Sequence, residues 1–70
     1  MFSERLRILR FKNSVSQVET AEKIGVSPRA YQDYEYGKFE PTLSVLIRIA
    51  DFFNVSLDYL AGRSENPRRR

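Results

Sequence analysis

Three hydrogen-bonding residues of this 70-residue chain, Arg29, Gln32 and Asp33, recur at the spacing of a helix. At 3.6 residues per turn they share one face, while Tyr31 and Tyr34 can pack on the opposite side. A helix divided in this way offers a guanidinium, a carboxamide and a carboxylate to the base edges in the major groove of a DNA duplex. We therefore identify Arg29, Gln32 and Asp33 as candidate base-reading residues.

A helix that bears these residues must be held in a fixed orientation, and the surrounding sequence predicts a second helix and a turn that hold it. Ser16 can cap a helix over about 17–24, and Gly25 occupies the position where a left-handed residue ends it. Ser27 can cap a second helix over about 28–36, which opens with a proline. A helix, a short turn and a second helix form the helix-turn-helix arrangement, although two capped helices with a glycine between them also occur in ordinary helical bundles.

The rest of the chain predicts an all-α fold of five helices with no strand. Further helices are expected over about 3–12, 43–53 and 57–61. The predicted inward-facing residues recur at three- and four-residue steps; they are Leu6, Leu9, Ala21, Ile24, Leu43, Leu46, Ile49, Ala50 and Phe53. We expect one folded domain over residues 1–62, followed by a basic, disordered tail over residues 63–70.

The composition excludes several classes of function. The chain has no cysteine and no histidine, which rules out a disulfide and any metal site built on thiolate or imidazole ligands. Its serines fall at helix caps or in loops rather than beside a base that could activate them. We therefore expect no enzyme, no catalytic residue, no metal, no cofactor and no small-molecule ligand within this chain.

The sequence also predicts a location away from membranes. No apolar run approaches the roughly 20 residues of a membrane span. The first dozen residues are too charged to form the apolar segment of a signal peptide. We expect a cytoplasmic protein that is associated with the nucleoid.

The net charge of +3 is distributed unevenly along the chain. Residues 1–13 and residues 63–70 each have a net charge of +3, whereas residues 14–62 have a net charge of −3. The predicted helix-turn-helix is therefore slightly acidic. Non-specific attraction of DNA phosphates is expected from the first helix and the tail instead.

Short stretches spread over residues 5–62 form a pattern that is specific when taken together. They are Leu6-x-x-Leu9-Arg10, Ser16-Gln17, the run from Ala21 to Ser27, Tyr34-Glu35-x-Gly37-Lys38, Glu40-Pro41, Leu43-x-x-Leu46, Ile49-Ala50 and the run from Asn54 to Leu60. In these stretches the chain resembles the phage-repressor and Cro-like helix-turn-helix family, also called the xenobiotic-response-element family of transcriptional regulators. The resemblance implies a compact five-helix domain of the lambda-repressor type, in which helices 2 and 3 form the helix-turn-helix.

The same resemblance implies roles for residues outside the base-reading face. Gln17 and Lys38 would bind DNA phosphates. Beside these two, we predict Ser27 as a third phosphate-binding residue. Solvated side chains are the plainer interpretation of Gln17 and Lys38. Arg10 and Glu35 match a pair that, in this family, bridges helix 1 to the end of helix 3.

The apolar residues of helices 4 and 5 indicate how two copies of the chain could associate. Helices 4 and 5 carry more apolar residues than one small core needs, and Phe52 and Tyr59 are the candidates for a dimer patch. A monomer core that buries all of them is the alternative.

Together these observations predict a transcriptional regulator, a repressor, that binds double-stranded DNA as a homodimer on a palindromic operator. Two other interpretations stay open. One is an antitoxin-like module that uses the same fold to bind another protein. The other is a DNA-binding domain cut from a larger, ligand-sensing regulator.

Overall fold

A computed structural model describes residues 2–68 of the chain. Over that range the chain forms five α-helices and no strand: α1 (Phe2–Lys12), α2 (Gln17–Ile24), α3 (Pro28–Tyr36), α4 (Leu43–Phe53) and α5 (Leu57–Leu60). The predicted all-α class and the order of the helices are confirmed. The helix-turn-helix consists of α2, α3 and the turn between them.

Side-chain caps and left-handed residues set the helix ends. Each of α2 to α5 begins after a Ser or Thr whose oxygen accepts the N–H three positions further on; these caps are Ser16, Ser27, Thr42 and Ser56. Gly25 ends α2 with φ at 78°, and Gly37 ends α3 with φ at 76°. Since both residues lack a Cβ, this backbone region costs them little. The predicted starts and ends of α2 and α3 therefore have the expected physical basis.

One hydrophobic core joins all five helices. It consists of Leu6, Leu9, Ala21, Ile24, Tyr31, Val45, Ile49, Ala50, Phe53, Val55 and Leu60. Leu43 was predicted to face inward, but it is 67% exposed. It lies two positions before Val45 and therefore points to the opposite side of α4, so that Val45 takes the inward position.

Residues 63–68 fold back against the domain, although the sequence predicts disorder from residue 63 onward. Arg5 on α1 donates from Nη1 to the carbonyl of Ser64 at 2.7 Å. The N–H that precedes α5 donates to the carbonyl of Pro67 at 2.9 Å. Composition does not predict these contacts because the acceptors are backbone carbonyls, which every residue has. The last two residues of the predicted tail lie outside the described residues.

Candidate nucleic-acid interface

The turn between α2 and α3 is held from within and from α4. The N–H of Val26 donates to the carbonyl of Ala21 at 3.0 Å, as expected after a left-handed glycine. From α4, Arg48 Nη1 donates to the carbonyl of Ile24 at 3.0 Å. Because that carbonyl has no partner within α2, Arg48 both satisfies it and ties α4 to the turn. No sequence pattern indicates this hydrogen bond, since it depends on α4 lying beside the end of α2.

The third helix buries one side and exposes the other. Tyr31 is fully buried, Gln32 is half-buried, and the Arg29 side chain is 79% exposed. Asp33 departs from the predicted exposed face, because its side chain is only 13% exposed. Its Oδ1 lies 3.6 Å from Nε of Arg29, one helical turn away. Asp33 thus presents little surface to a base and pairs with the Arg29 guanidinium instead.

Gln17 and Gln32 connect the start of α2 to the middle of α3. Nε2 of Gln32 donates to Oε1 of Gln17 at 3.2 Å. Nε2 of Gln17 in turn donates to Oε1 of Glu35 at 3.1 Å. The predicted phosphate-binding residue and the predicted base-reading residue therefore form one hydrogen-bonded chain that ends on Glu35.

Glu35 is a completely buried carboxylate surrounded by donors. Arg10 donates from Nε to Oε2 at 2.6 Å and from Nη2 to Oε1 at 3.2 Å. The hydroxyl of Tyr31 donates to Oε2 at 2.5 Å. Arg7 adds a hydrogen bond to the backbone carbonyl of Glu35. The structure thus contains the predicted contact between Arg10 and Glu35, and it adds the Tyr31 hydroxyl, which the sequence placed only as a packing residue.

The charges in this cluster are fixed by its hydrogen bonds. Burial raises the pKa of Glu35, but hydrogen bonds from Arg10, Tyr31 and Gln17 outweigh burial and leave that pKa below its ordinary value. Burial and the neighbouring carboxylate raise the pKa of the Tyr31 hydroxyl above its ordinary value. At neutral pH the cluster therefore holds an ionised carboxylate beside a protonated phenol.

Ser27 and Lys38 lie at opposite ends of α3, and both are exposed. Ser27 Oγ accepts the N–H of Ala30 at 3.1 Å, which is its capping role. The N–H of Lys38 donates to the carbonyl of Asp33 at 2.9 Å and so fixes the chain just after the helix. Both predicted phosphate-binding positions are accessible from solvent.

The arginines of α1 make hydrogen bonds within the protein. Arg5 donates to the carbonyl of Tyr59 at 2.9 Å, Arg7 to the carbonyl of Glu35, and Arg10 to the Glu35 carboxylate. The sequence predicted that positive charge on this helix would attract phosphates. Because three of its four cations already have protein partners, less of that charge is available to DNA than the composition implies.

The two dimer candidates are both half-buried. The ring of Phe52 packs edge-on against Phe53, with ring centroids 4.9 Å apart. The ring of Tyr59 lies beneath the Arg5 guanidinium, 4.2 Å from its carbon to the ring centroid. More exposed apolar side chains occur at Ile8, Phe11, Val18, Tyr36, Phe39, Leu43, Ile47 and Leu57. Ile47 and Leu57 belong to the same two helices, α4 and α5, as the dimer candidates.

Residues 2–68 contain neither a cluster of metal-ligating side chains nor a membrane-spanning helix. No group of three His, Cys, Asp or Glu side chains there could hold a metal ion. None of the helices in this range has the length and apolar character needed to cross a bilayer.

A family model and a solved repressor structure match this chain. Residues 6–60 match the family described as Helix-turn-helix, and the chain belongs to that family. It superposes with a TM-score of 0.86 on a crystal structure of the P22 c2 repressor bound to a synthetic operator. The two sequences are 28% identical, and the match covers 91% of this chain and 97% of the repressor chain. The resemblance inferred from the sequence and the five-helix fold that it implied are both confirmed.

Two curated relatives are transcriptional regulators. The uncharacterised HTH-type transcriptional regulator YqaE of Bacillus subtilis is 41% identical over 66 residues. The transcriptional repressor RstR of the cryptic phage CTXphi, from Vibrio cholerae, is 40% identical over 60 residues. These matches cover 94% and 86% of this chain but only 57% and 54% of the relatives, so the chain spans about half of their length. Both relatives are regulators rather than enzymes, in agreement with the prediction.

Proposed function

We propose that this domain binds double-stranded DNA in a sequence-specific manner and regulates transcription. The observation that carries the proposal is the composition of the outer side of α3. It presents the exposed guanidinium of Arg29 beside the carboxamide of Gln32, and a buried cluster holds that helix from behind. Guanidinium and carboxamide groups are the ones that pair in bidentate fashion with guanine and adenine in the major groove. The P22 c2 repressor, which shares the fold, binds an operator.

Within this proposal the predicted readers have different roles. Arg29 reads a guanine near the start of α3, and Gln32 reads an adjacent base pair. Asp33 acts mainly on Arg29, because its carboxylate is nearly covered and lies 3.6 Å from the guanidinium. Gln17, Ser27 and Lys38 contact phosphates and set the register of the domain on the duplex.

We further propose that the domain acts as a repressor and as a dimer. RstR and the P22 c2 protein are both repressors, which supports the same sign of regulation here. Two copies related by a two-fold axis would place their α3 helices about 34–36 Å apart, one turn of the duplex, on a palindromic operator. Phe52 and Tyr59 are the proposed contacts between the copies.

Selection of binding sites from a pool of random duplexes tests the proposal. A sequence-specific domain enriches one motif, and a dimer enriches an inverted repeat with half-sites one turn apart. Enrichment of a single half-site would retain sequence-specific binding but contradict the dimer. If no motif is enriched while the protein stays folded, sequence-specific binding is wrong.

Sedimentation of two charge-insertion variants tests the dimer separately. Phe52→Glu and Tyr59→Glu should give folded monomers that bind the full site less tightly than the wild type, because each places a charge in the proposed interface. Ile8→Glu is the matched control, since Ile8 is 50% exposed on α1, outside the proposed interface. If all three variants sediment as the wild type does, Phe52 and Tyr59 do not form the interface.

A further inference from the structure

The buried carboxylate of Glu35 determines which way round the Gln17 side-chain amide must lie. Oε2 of Glu35 accepts from Arg10 Nε at 2.6 Å and from the Tyr31 hydroxyl at 2.5 Å. Oε1 accepts from Gln17 Nε2 at 3.1 Å and from Arg10 Nη2 at 3.2 Å. An ionised carboxylate can only accept hydrogen bonds, so Gln17 must turn its NH2 group toward Glu35. This orientation follows from the chemistry of the two groups.

The constraint passes from Gln17 to Gln32. With its NH2 group directed at Glu35, Gln17 presents its oxygen to Gln32, and an oxygen can only accept. Gln32 must therefore direct its own NH2 group at Gln17, and the two nitrogen–oxygen contacts lie at 3.1 and 3.2 Å. The oxygen and the second N–H of Gln32 remain available to another partner, and their positions cannot be exchanged by a flip of the amide.

We propose that Glu35 is a specificity-determining positioning residue, which fixes the amide orientation of Gln32 through Gln17 and thereby its preference for adenine. The inference rests on the proposed function, because it requires α3 to read bases. Adenine offers an N–H donor at N6 and an acceptor at N7, which match the remaining oxygen and N–H of Gln32. An amide that is free to flip can adopt two orientations, and only one of them matches adenine. The carboxylate touches no base and acts only by orienting the glutamines.

We call the hydrogen bonds that join Glu35 to Gln17 and Gln17 to Gln32 the relay. Glu35→Gln tests the relay because it changes the donors and acceptors at position 35 while it keeps the shape of the side chain. The new amide oxygen should take the place of Oε2, where the two shortest donors converge. Its NH2 group then takes the place of Oε1, where it loses the 3.2 Å hydrogen bond from Arg10 Nη2 and faces Gln17. Gln17 must therefore turn its oxygen inward and offer NH2 to Gln32. The orientation of Gln32 is thereby reversed. We expect the preference for adenine at the Gln32 position of the selected site to fall about tenfold, while the preference at the Arg29 position is retained.

Two further variants separate the relay from a general loss of stability. Gln17→Met removes the relay but leaves the Arg10 and Tyr31 contacts of Glu35 in place, so it should reduce the same adenine preference. Tyr31→Phe is the matched control: it removes a hydrogen bond to Glu35, but the carboxylate still accepts from Gln17. It should lower the melting temperature and leave the preference at every base position unchanged.

Nuclear magnetic resonance of the free protein measures the orientation directly. Couplings across hydrogen bonds should join Nε2 of Gln17 to the Glu35 carboxylate carbon, and Nε2 of Gln32 to the side-chain carbonyl carbon of Gln17. In Glu35→Gln the coupling should run from the new amide nitrogen at position 35 to the Gln17 carbonyl carbon.

The outcomes separate the two proposals. If the wild type selects a motif, and Glu35→Gln and Gln17→Met keep its adenine preference, the relay is overturned while the proposed function stands. If Tyr31→Phe loses the preference as strongly as they do, the effect is one of stability and the relay is overturned as well. If the wild type selects no motif, the proposed function fails, and the inference fails with it.

Discussion

Arg29 and Lys38 lie at the two ends of α3 and are both accessible, but the proposal gives them different tasks. Arg29→Ala should reduce discrimination at one guanine-containing position by about 1–3 kcal/mol, since it removes a bidentate contact to a base. Lys38→Ala should weaken binding to all duplexes about equally, because it removes a phosphate contact. Fluorescence titrations with the selected site and with a scrambled duplex measure both effects. Equal proportional losses on the two duplexes in both variants would show that Arg29 reads no base.

The Glu35 cluster predicts a dependence of stability on pH. The pKa of Glu35 is lower in the folded chain than its ordinary value, which is the value expected of the unfolded chain. The unfolded chain therefore binds the proton more readily, and the folded state loses this stabilisation as the pH falls below about 4.5. Thermal unfolding followed by circular dichroism between about pH 7 and pH 3 measures it.

Glu35→Gln is the control for the pH effect. The variant should be less stable than the wild type at pH 7, and the difference should shrink as the pH falls, because protonation removes the carboxylate from the wild type as well. If the two melting temperatures decline in parallel over the whole range, Glu35 is not the group responsible.

For individual residues, sequence pattern predicted which side chains turn inward but not which polar atoms meet. Arg10 and Glu35 could be paired from a family pattern. The Tyr31 hydroxyl could not, because helical periodicity assigns a tyrosine to the core without locating its oxygen. Asp33 was placed outward by the same periodicity, whereas its pairing with Arg29 and its low exposure depend on the surrounding chain.

Among the secondary-structure elements, the turn between α2 and α3 predicts an unequal effect of two glycine substitutions. Both Gly25 and Gly37 have a left-handed backbone, so replacement by alanine should cost about 1–2 kcal/mol at either position. A Cβ at Gly25 would also lie 2.9 Å from Nη1 of Arg48, whereas a Cβ at Gly37 would meet Ser3 at an ordinary 3.7 Å. Gly25→Ala should therefore destabilise the domain more.

The extra cost has a specific source that a double-mutant cycle can isolate. Displacing Arg48 breaks its hydrogen bond to Ile24, which contributes about 0.5–1.5 kcal/mol. In an Arg48→Ala background the two glycine variants should become equal in free energy of unfolding, as measured by urea denaturation. A difference that persists without Arg48 would mean that the strain lies in the backbone of the turn.

The helix boundaries were the most predictable part of the fold, because caps, prolines and glycines act locally. Ser16, Gly25, Ser27 and Gly37 all have the roles expected from the sequence. Contacts between elements were less predictable. The hydrogen bond from Arg48 to the end of α2 joins residues 24 positions apart and has no local signal.

For the molecule as a whole, the basic chain ends predict how affinity depends on salt. Removing Arg68 to Arg70 should weaken binding to all duplexes alike and leave the selected motif unchanged. The slope of log K against log salt should become shallower by about 0.9 for each phosphate that these arginines neutralise in the intact chain. Unchanged affinity and slope at low salt would show that they neutralise none. A changed motif would show that they reach a groove.

The fold of the whole molecule could be predicted from the sequence, but the amount of positive charge available to DNA could not. Periodicity and caps are sufficient to predict five helices around one core. The charge map was less informative, because Arg5, Arg7 and Arg10 make internal hydrogen bonds that a count of charges cannot reveal. Composition likewise predicted disorder in the segment after α5, because it does not reveal that Arg5 donates a hydrogen bond to the carbonyl of Ser64 within that segment.

In the proposed complex, α3 and the start of α2 form the surface that meets DNA. Titration of the isotope-labelled domain with its selected duplex, followed by nuclear magnetic resonance, locates that surface residue by residue. We predict that the largest shifts fall on the backbone amides of Gln17, Ser27, Arg29, Gln32 and Lys38, and that the outer side of α1 around Ile8 and Phe11 changes little. Large shifts on α1 with none on α3 would contradict the proposal.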